Sequence, residues 1–301
     1  MTPASPAAGG SSPRNVDAPL VAPSGNSGLL EVFRRRYLLR LLVRREISAR
    51  YQGSVLGMLW SYINPLSQLF IYWFVMGQIM GLHKDVQNFA IHVFTALIVV
   101  HFFVETFNAG TRSIVRNKAL VRKMAMPREM FPVASMLVSG FHAGPQIIVL
   151  VIVCVINGWS PDPVGLAAGA LALFIIMVIG TALALLFSAA NVFFRDFSQF
   201  VNILTNFVRF GVPMIYPYTL VAERFKGHAD LYLLNPLADA VLLMQRCFWV
   251  GTTSDPDATI TKHLPDHLFL RGGGAVLFGL VLLVIAQLVF SRLENKIPER
   301  I

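Results

Sequence analysis

Two charged residues, Glu105 and Arg209, stand inside long apolar stretches of this sequence. An ionised side chain deep in a bilayer costs roughly 2–3 kcal/mol or more, so such residues are usually paired or face a cavity. We interpret them as a structural ion pair, with a role in lining a substrate path as the alternative. His92 and His101 could relay protons, but the apolar stretches hold no second acid, which disfavours a proton-driven transporter.

A basic amphipathic segment precedes the first apolar stretch. Apolar residues recur at three- and four-residue spacing, which places them on one helix face: Leu30, Phe33, Tyr37 and Leu41. Arginines flank that face: Arg34, Arg35, Arg36 and Arg40. The pattern predicts a helix in the cytoplasmic membrane surface, with arginines among the headgroups. The alternative is a solvated basic helix packed on a soluble domain.

The segment 111–132 is a basic loop that can form a short helix. One side would be apolar, comprising Ile114, Leu120, Val121 and Met124. The other side would carry the charges of Arg116, Lys118, Arg122 and Lys123. Pro127 would end the helix because proline cannot donate a backbone hydrogen bond. Such a helix could pass motion to a soluble motor; the alternative is an ordinary basic cytoplasmic loop.

Aromatic residues cluster in two of the apolar stretches. The first cluster contains Trp60, Tyr62, Phe70, Tyr72, Trp73 and Phe74, and the second contains Phe207, Phe210, Tyr216 and Tyr218. Rings at mid-depth would suit a lumen in which sugar rings slide, because an aromatic face offers apolar contact without fixing hydrogen-bond geometry. Packing against lipid is the alternative. Pro65, Pro213 and Pro217 predict kinks that would let these two helices form a gate.

The composition identifies a multi-pass membrane protein. Apolar residues make up 55% of the 301 residues and charged residues only 14%, whereas soluble domains carry roughly 25% charged residues. The net charge of +9 is therefore interpreted through its distribution, and we expect no nucleic-acid partner. Cys154 and Cys247 are expected to be buried unpaired thiols, with one disulfide as the alternative.

Six stretches have the length of about 20 mostly apolar residues that a membrane span needs. They are approximately 57–80, 89–110, 131–156, 164–190, 199–220 and 272–291. A further stretch, 231–250, carries Asn235, Pro236, Asp239, Gln245 and Arg246. We expect it to be re-entrant or interfacial and shielded by protein. The fold class predicted is thus all-α and integral to the membrane, with six transmembrane helices.

The distribution of basic residues predicts the orientation. With the N-terminus inside, cytoplasmic segments carry 18 of the 25 lysines and arginines and outer segments carry six. The positive-inside rule then places both termini in the cytoplasm. Residues 1–28 are rich in Pro, Ala, Ser and Gly, which predicts a disordered cytoplasmic tail. No phosphate-binding GxxxxGK[ST] motif occurs, so ATP, if used, would bind another chain.

Several motifs together resemble the membrane subunit of ABC-2 type polysaccharide exporters, which carry O-antigen, teichoic acid and related lipid-linked glycans. They are RREISARYQGSVLGMLWSYINPL, SIVRNKALVRKMAMPREMFP, NVFFRDFSQFVNIL, VPMIYP and LLNPL, in this order. The resemblance runs from about Leu29 to the C-terminus. Within the family it is nearest to the galactan-exporting permeases of actinobacteria.

The resemblance implies an ABC-2 exporter fold over 29–301. It implies an interface helix at 29–50, a coupling helix at 111–123 and re-entrant outer helices at 231–250. The coupling helix would meet the ATPase through Arg116, Asn117, Lys118, Leu120 and Arg122. Inner-gate residues that would meet a diphosphate are Arg44, Arg45 and Arg50. Channel-lining candidates are Trp60, Tyr62, Phe70, Trp73, Phe207, Phe210 and Tyr216.

The resemblance also implies the partners and the location. Two copies would enclose a channel in the plasma membrane, together with two copies of a nucleotide-binding subunit that holds ATP and Mg²⁺. The cargo would be a polyprenyl-diphosphate-linked glycan, and this chain would hold no cofactor, no metal and no catalytic residue. The alternatives are an ABC-2 exporter of a lipid or drug, and an integral-membrane glycan transferase. A transferase would need an acidic cluster at a membrane face, and the loops between the spans offer only Glu129 and Asp196 on the cytoplasmic side.

Overall fold

The computed structural model describes residues 28–81, 86–124, 126–225, 228–294 and 296–300. Within these ranges the chain is helical and contains no β-strand, which agrees with the all-α prediction. The tail predicted over 1–28 lies outside the described residues, apart from Gly28 at the start of the first helix.

The N-terminal part consists of short helices that follow one another closely. In chain order they are α1 (Gly28–Arg34), α2 (Arg36–Tyr51), a 3₁₀ turn (Gly57–Leu59), α3 (Trp60–Ile71) and a π-helix (Tyr72–Ile79). Pro65 lies inside α3. The first predicted span, 57–80, is therefore a sequence of three helical types rather than one uninterrupted α-helix.

The remaining described elements are long helices joined by shorter ones. They are α4 (Phe89–Arg116), α5 (Lys118–Lys123), α6 (Met130–Ile156), α7 (Pro163–Phe193), α8 (Phe197–Phe210), α9 (Tyr218–Arg224), α10 (Ala229–Tyr232), α11 (Pro236–Cys247), a 3₁₀ turn (Val250–Thr252), α12 (Pro256–His263), α13 (Leu268–Glu294) and α14 (Ile297–Arg300). Three of them, α7, α11 and α12, begin with a proline at the first position and a polar cap before it, and Asp255 is the cap of α12. Asp162 accepts a hydrogen bond from Gly165 N (3.1 Å) to cap α7, and Asn235 accepts one from Leu237 N (3.1 Å) to cap α11.

Among the described residues, four helices are long and apolar enough to cross a membrane: α4, α6, α7 and α13. They coincide with four of the six predicted spans. The fifth predicted span, 199–220, is covered by the 14-residue α8, an irregular stretch after it, and the start of α9. Pro213 and Pro217 in that stretch lack the N–H groups that would continue the helix. The six-span count accordingly stays a prediction.

The segment predicted to be re-entrant contains α11, a 12-residue helix. At 1.5 Å per residue it is too short to cross a bilayer. Nearly all of its residues are buried, and it packs against α7, α4 and α13. This burial agrees with the expectation that protein shields its polar residues, including Asp239 and Gln245; its re-entrant path stays a prediction.

The core is built around α4 and α7. One buried cluster joins these helices to α11, and a second joins the ends of α7 and α13 to α2 and the start of α6. The axes of α4 and α7 approach closely at Gly110, where an added Cβ atom would overlap Ala184. Both cysteines, Cys154 and Cys247, are buried free thiols, as predicted.

Candidate functional site

The basic segment forms α1 and α2, and these helices have two different apolar sides. One side is buried on the protein through Val32, Leu39 and Leu42. The other side, which the sequence pattern identified, is exposed: Leu30, Phe33, Tyr37 and Leu41. A helix anchored on protein along one side leaves the second side available to the acyl boundary of a membrane.

Glu46 of α2 joins this basic helix to the far end of α4. Its carboxylate pairs with Arg116, the last residue of α4. It also accepts a hydrogen bond from Asn117 Nδ2 at 3.1 Å. Arg45 Nη1 in turn donates to Asn117 Oδ1 at 3.3 Å. Four polar side chains therefore connect α2 to the residue at which α4 ends and α5 begins.

A second ionic cluster lies one turn further along α2. Arg50 pairs with Glu105 of α4. His142 of α6 lies beside both, with its Nδ1 2.9 Å from Glu105 Oε1 and 2.7 Å from Arg50 Nη1. Tyr51 packs edge-on against the His142 ring, with centroids 6.1 Å apart. Three helices are thus held together around one carboxylate.

This arrangement corrects the predicted pair of Glu105 with Arg209. Among the described residues Glu105 pairs with Arg50 and lies within hydrogen-bond distance of His142, and no ion pair joins it to Arg209. The physical reason is that α2 brings Arg50 directly against α4 at Glu105. Arg209 lies on α8, where no carboxylate within the described ranges comes within ion-pair distance.

The two ionic clusters border one cavity of about 500 Å³. Its lining comes from α2, α4 and α6 and includes Arg45, Arg50, Arg116, Glu46, Glu105, Asn117, Ser135 and Ser139. Three guanidinium groups therefore face two carboxylates, so the cavity has an excess of positive charge. Of the three arginines, Arg45 is the one whose described partner is a neutral amide rather than a carboxylate. The third inner-gate candidate, Arg44, is exposed on α2 and does not line the cavity.

The predicted coupling helix is shorter than the sequence suggested. Residues 111–116 continue α4, and the separate helix α5 spans only Lys118–Lys123. Asn117 interrupts the helix because its backbone (φ −100°, ψ 24°) leaves the α-helical region. Val121 is buried while Lys118 and Arg122 are exposed and Leu120 is half-buried, so α5 presents a basic surface. The helix ends before Pro127, as expected.

Most of the channel-lining candidates lie on two surfaces that the other described residues leave exposed. Trp60, Phe70 and Trp73 are exposed on α3 and the π-helix, and Phe207 and Phe210 are about 70% exposed on α8. Tyr62 and Tyr216 are partly buried. The Tyr216 hydroxyl donates to Phe210 O at 2.7 Å and lies 3.1 Å from the Tyr232 hydroxyl. Whether the exposed rings face a lumen stays a prediction.

Two features of the structure were missed by sequence reasoning. The sequence did not indicate a role for His142, because this residue lies among apolar residues and contacts Glu105 only through the packing of α6 on α4. Arg246 pairs with Asp162 through two hydrogen bonds of 2.9 and 2.8 Å, which brace α11 against the start of α7. The charge of Arg246 within an apolar stretch was noticed, but its partner lies 84 residues away.

Comparisons with known proteins give matches over most of the chain. Residues 37–248, from α2 to just past α11, match the model of a family described as "ABC-2 type transporter". The chain is similar to an O-antigen export system permease protein of Klebsiella pneumoniae, with 26% identity over 263 residues that cover 87% of this chain and 94% of the relative. It is also similar to an O-antigen export system permease protein of Myxococcus xanthus, with 25% identity over 272 residues covering 90% and 98%.

Proposed function

This chain belongs to the ABC-2 type transporter family, and from that premise we propose that it is the membrane subunit of an ATP-driven exporter of a polyprenyl-diphosphate-linked polysaccharide. The relatives named O-antigen export system permease match it over nearly their whole length, which supports export of an O-antigen-like glycan. The resemblance of its motifs to galactan exporters makes galactan the first glycan to test.

The observation that carries this proposal is the positively charged cavity between α2, α4 and α6. A diphosphate needs cationic, multiply donating groups, and arginine supplies them in a planar fork. Arg45 and Arg50 of α2 line the cavity, and the exposed apolar side of α1 and α2 suits the bilayer surface. A lipid-linked substrate would match both features, because its diphosphate would lie at the membrane surface near the arginines and its polyprenyl chain would lie in the hydrocarbon.

Energy would reach the membrane subunit through α5. Its exposed Lys118 and Arg122 offer a basic surface to a separate nucleotide-binding subunit, which would bind ATP and Mg²⁺. Asn117, Arg116 and Glu46 connect α5 to both α4 and α2. A displacement of α5 would therefore move the cavity arginines at the same time as the long helix behind them.

The polysaccharide would pass between two copies of the chain in the plasma membrane. The aromatic residues on α3, the π-helix and α8 would line the passage, offering ring faces to successive sugars. A homodimer would enclose the passage, and the exposure of most of these residues on the single chain supports this arrangement. In this arrangement both termini are cytoplasmic, as the distribution of lysine and arginine predicts.

The proposal is tested by purifying the tagged protein from native membranes in mild detergent and analysing its partners and bound lipids by mass spectrometry. We expect a stoichiometric ABC ATPase and a polyprenyl-diphosphate glycan, and loss of surface glycan on depletion of the chain. Purification without an ATPase would remove the energy source and favour a membrane transferase. Bound phospholipid alone, with unchanged glycan export after depletion, would favour a lipid or drug exporter.

A further inference from the structure

An anionic substrate that enters the cavity would have to compete with Glu105 for one of the cavity arginines. Arg50, one of its two best-placed cations, is already paired with Glu105. Glu105 is held in turn by His142, whose side chain is only 6% exposed. An anion that binds Arg50 must therefore compete with a carboxylate that the protein itself supplies.

We propose that Glu105 is a specificity-determining residue that withholds Arg50 from singly charged phosphates and releases it to a diphosphate. This inference rests on the proposed function and deepens it. Bilayer phospholipids carry a phosphodiester with one negative charge, and they surround the cavity in great excess. Discrimination against them requires a repulsive or competing element, because arginine alone attracts both kinds of headgroup.

The geometry supplies that element in two steps. Arg45 has no carboxylate partner within the described ranges and is held only by Asn117 Oδ1 at 3.3 Å, so it can attract an incoming anion first. A phosphodiester carries a single negative charge. Once Arg45 balances that charge, the phosphodiester attracts Arg50 too weakly to displace Glu105. A diphosphate brings at least one further negative charge and additional oxygens, so it can engage both arginines and separate Arg50 from Glu105.

Glu105 keeps a partner when Arg50 leaves. His142 Nδ1 lies 2.9 Å from Glu105 Oε1 and remains beside it on the neighbouring helix. The His142 Nε2 atom is buried without a hydrogen-bond partner among the described residues. The exchange thus moves one guanidinium from an internal carboxylate to an external diphosphate and leaves Glu105 with a hydrogen-bond partner, whereas a buried carboxylate with no partner would be costly.

The test compares two short probes, farnesyl diphosphate and farnesyl methyl phosphate (a monophosphate diester with one negative charge, called the monophosphate below), on the full chain with its ATPase partner in lipid nanodiscs. We expect the unaltered protein to prefer the diphosphate by about tenfold or more, corresponding to about 1.4 kcal/mol. In Glu105→Gln the preference should fall to near unity, mainly because the monophosphate binds more tightly. Co-purified phosphatidylglycerol, counted by native mass spectrometry, should rise in the same variant.

Two further variants keep the test decisive. Glu223→Gln removes an exposed carboxylate on α9, remote from the cavity, and should keep the original preference. Arg50→Gln leaves Glu105 with His142 and should lower diphosphate affinity to that of the monophosphate, which is informative even if Glu105→Gln fails to fold.

A preference unchanged in Glu105→Gln, or absent in the unaltered protein, overturns this inference. Glycan export by the same complex would then leave the proposed function standing. Export that persists after depletion of the chain would instead overturn the proposed function itself.

Discussion

Asp162 and Arg246 form a doubly hydrogen-bonded ion pair at the predicted outer face. The hydrogen bonds from Arg246 are the main cause that holds the pKa of Asp162 below its ordinary value of 3.8. A carboxyl whose pKa is lowered by folding stabilises the fold above its unfolded pKa, and this contribution disappears as the pH falls through the lower, folded value. Asp162 is 41% exposed, so the contribution is small.

The first prediction concerns this pair. Asp162→Asn keeps an N-cap for α7 but removes the charge, and should lower the free energy of unfolding by about 0.2–1 kcal/mol at neutral pH, because water screens the partly exposed Asp162 carboxylate. The difference in melting temperature from the unaltered protein should shrink below about pH 4. Asp257→Asn, an exposed carboxylate in the first turn of α12, is the control and should change neither quantity. A difference that persists at acidic pH would assign the effect to packing rather than charge.

The second prediction concerns Glu46, which holds Arg116 and Asn117 together. Glu46→Ala and Arg116→Ala should each destabilise the chain, and the double variant should cost less than the sum of the two. A coupling of about 0.5–1 kcal/mol is expected in a double-mutant cycle followed by thermal unfolding, because Arg116 is half-exposed. Strictly additive effects would mean that the pair contributes nothing to joining α2 and α4.

The partners of single charged residues could not be predicted from the sequence. The cost of a charge in an apolar stretch identified Glu105 correctly as a residue that needs a partner. The choice of Arg209 was wrong because side-chain pairing depends on the rotation and offset of neighbouring helices. Arg50 is 55 residues from Glu105 and His142 is 37 residues away, and nothing in their local sequence encodes that proximity.

At the scale of elements, apolar length and proline positions were informative. Four predicted spans coincide with α4, α6, α7 and α13, because a long apolar segment has few alternatives to a helix. The irregular stretch after α8 follows from Pro213 and Pro217. The division of 57–80 into a 3₁₀ turn, α3 and a π-helix could not be predicted, since no residue type distinguishes i→i+5 from i→i+4 hydrogen bonding.

The third prediction tests the close approach of α4 and α7. Gly110→Ala would place a methyl group against Ala184 and force the helices apart, at a cost of about 1–3 kcal/mol. The expected result is a lower melting temperature in detergent. Gly144→Ala on α6 meets nothing within 4 Å and should leave the melting temperature unchanged or slightly raised. Equal behaviour of the two variants would contradict the tight α4–α7 contact.

At the scale of the whole molecule, the fourth prediction asks which exposed surfaces meet water. Both native cysteines are buried, so a new thiol can be followed with little background. In the assembled complex, Phe207→Cys on α8 should react with a charged, membrane-impermeant thiol reagent, because the proposed passage is aqueous. Leu277→Cys on α13, 65% exposed in the single chain, should not react, because it would face lipid. Protection of both thiols would place α8 against lipid.

The fifth prediction concerns assembly with the ATPase. Charge reversal on α5, as Lys118→Glu with Arg122→Glu, should reduce co-purification of the partner subunit without changing the melting temperature of this chain. The reason is that both side chains are exposed and pair with no carboxylate among the described residues. Lys262→Glu on α12 carries the same kind of change at the predicted outer face and should leave the complex intact. An undiminished yield of partner from the α5 variant would place the docking surface elsewhere.

The unequal burial of the long helices has a consequence for the surrounding bilayer. Protein buries 83% of the most apolar window of α4, but only 33% of that of α6 and 22% of that of α13. Hydrophobic mismatch therefore acts on α6 and α13, while α4 is largely insulated from membrane thickness. Ser135, Ser139 and His142 all lie on α6, which forms one wall of the cavity between α2, α4 and α6. A thinner or thicker membrane would therefore tilt α6 relative to the wall that α4 forms. We therefore expect anion binding in this cavity to change with membrane thickness.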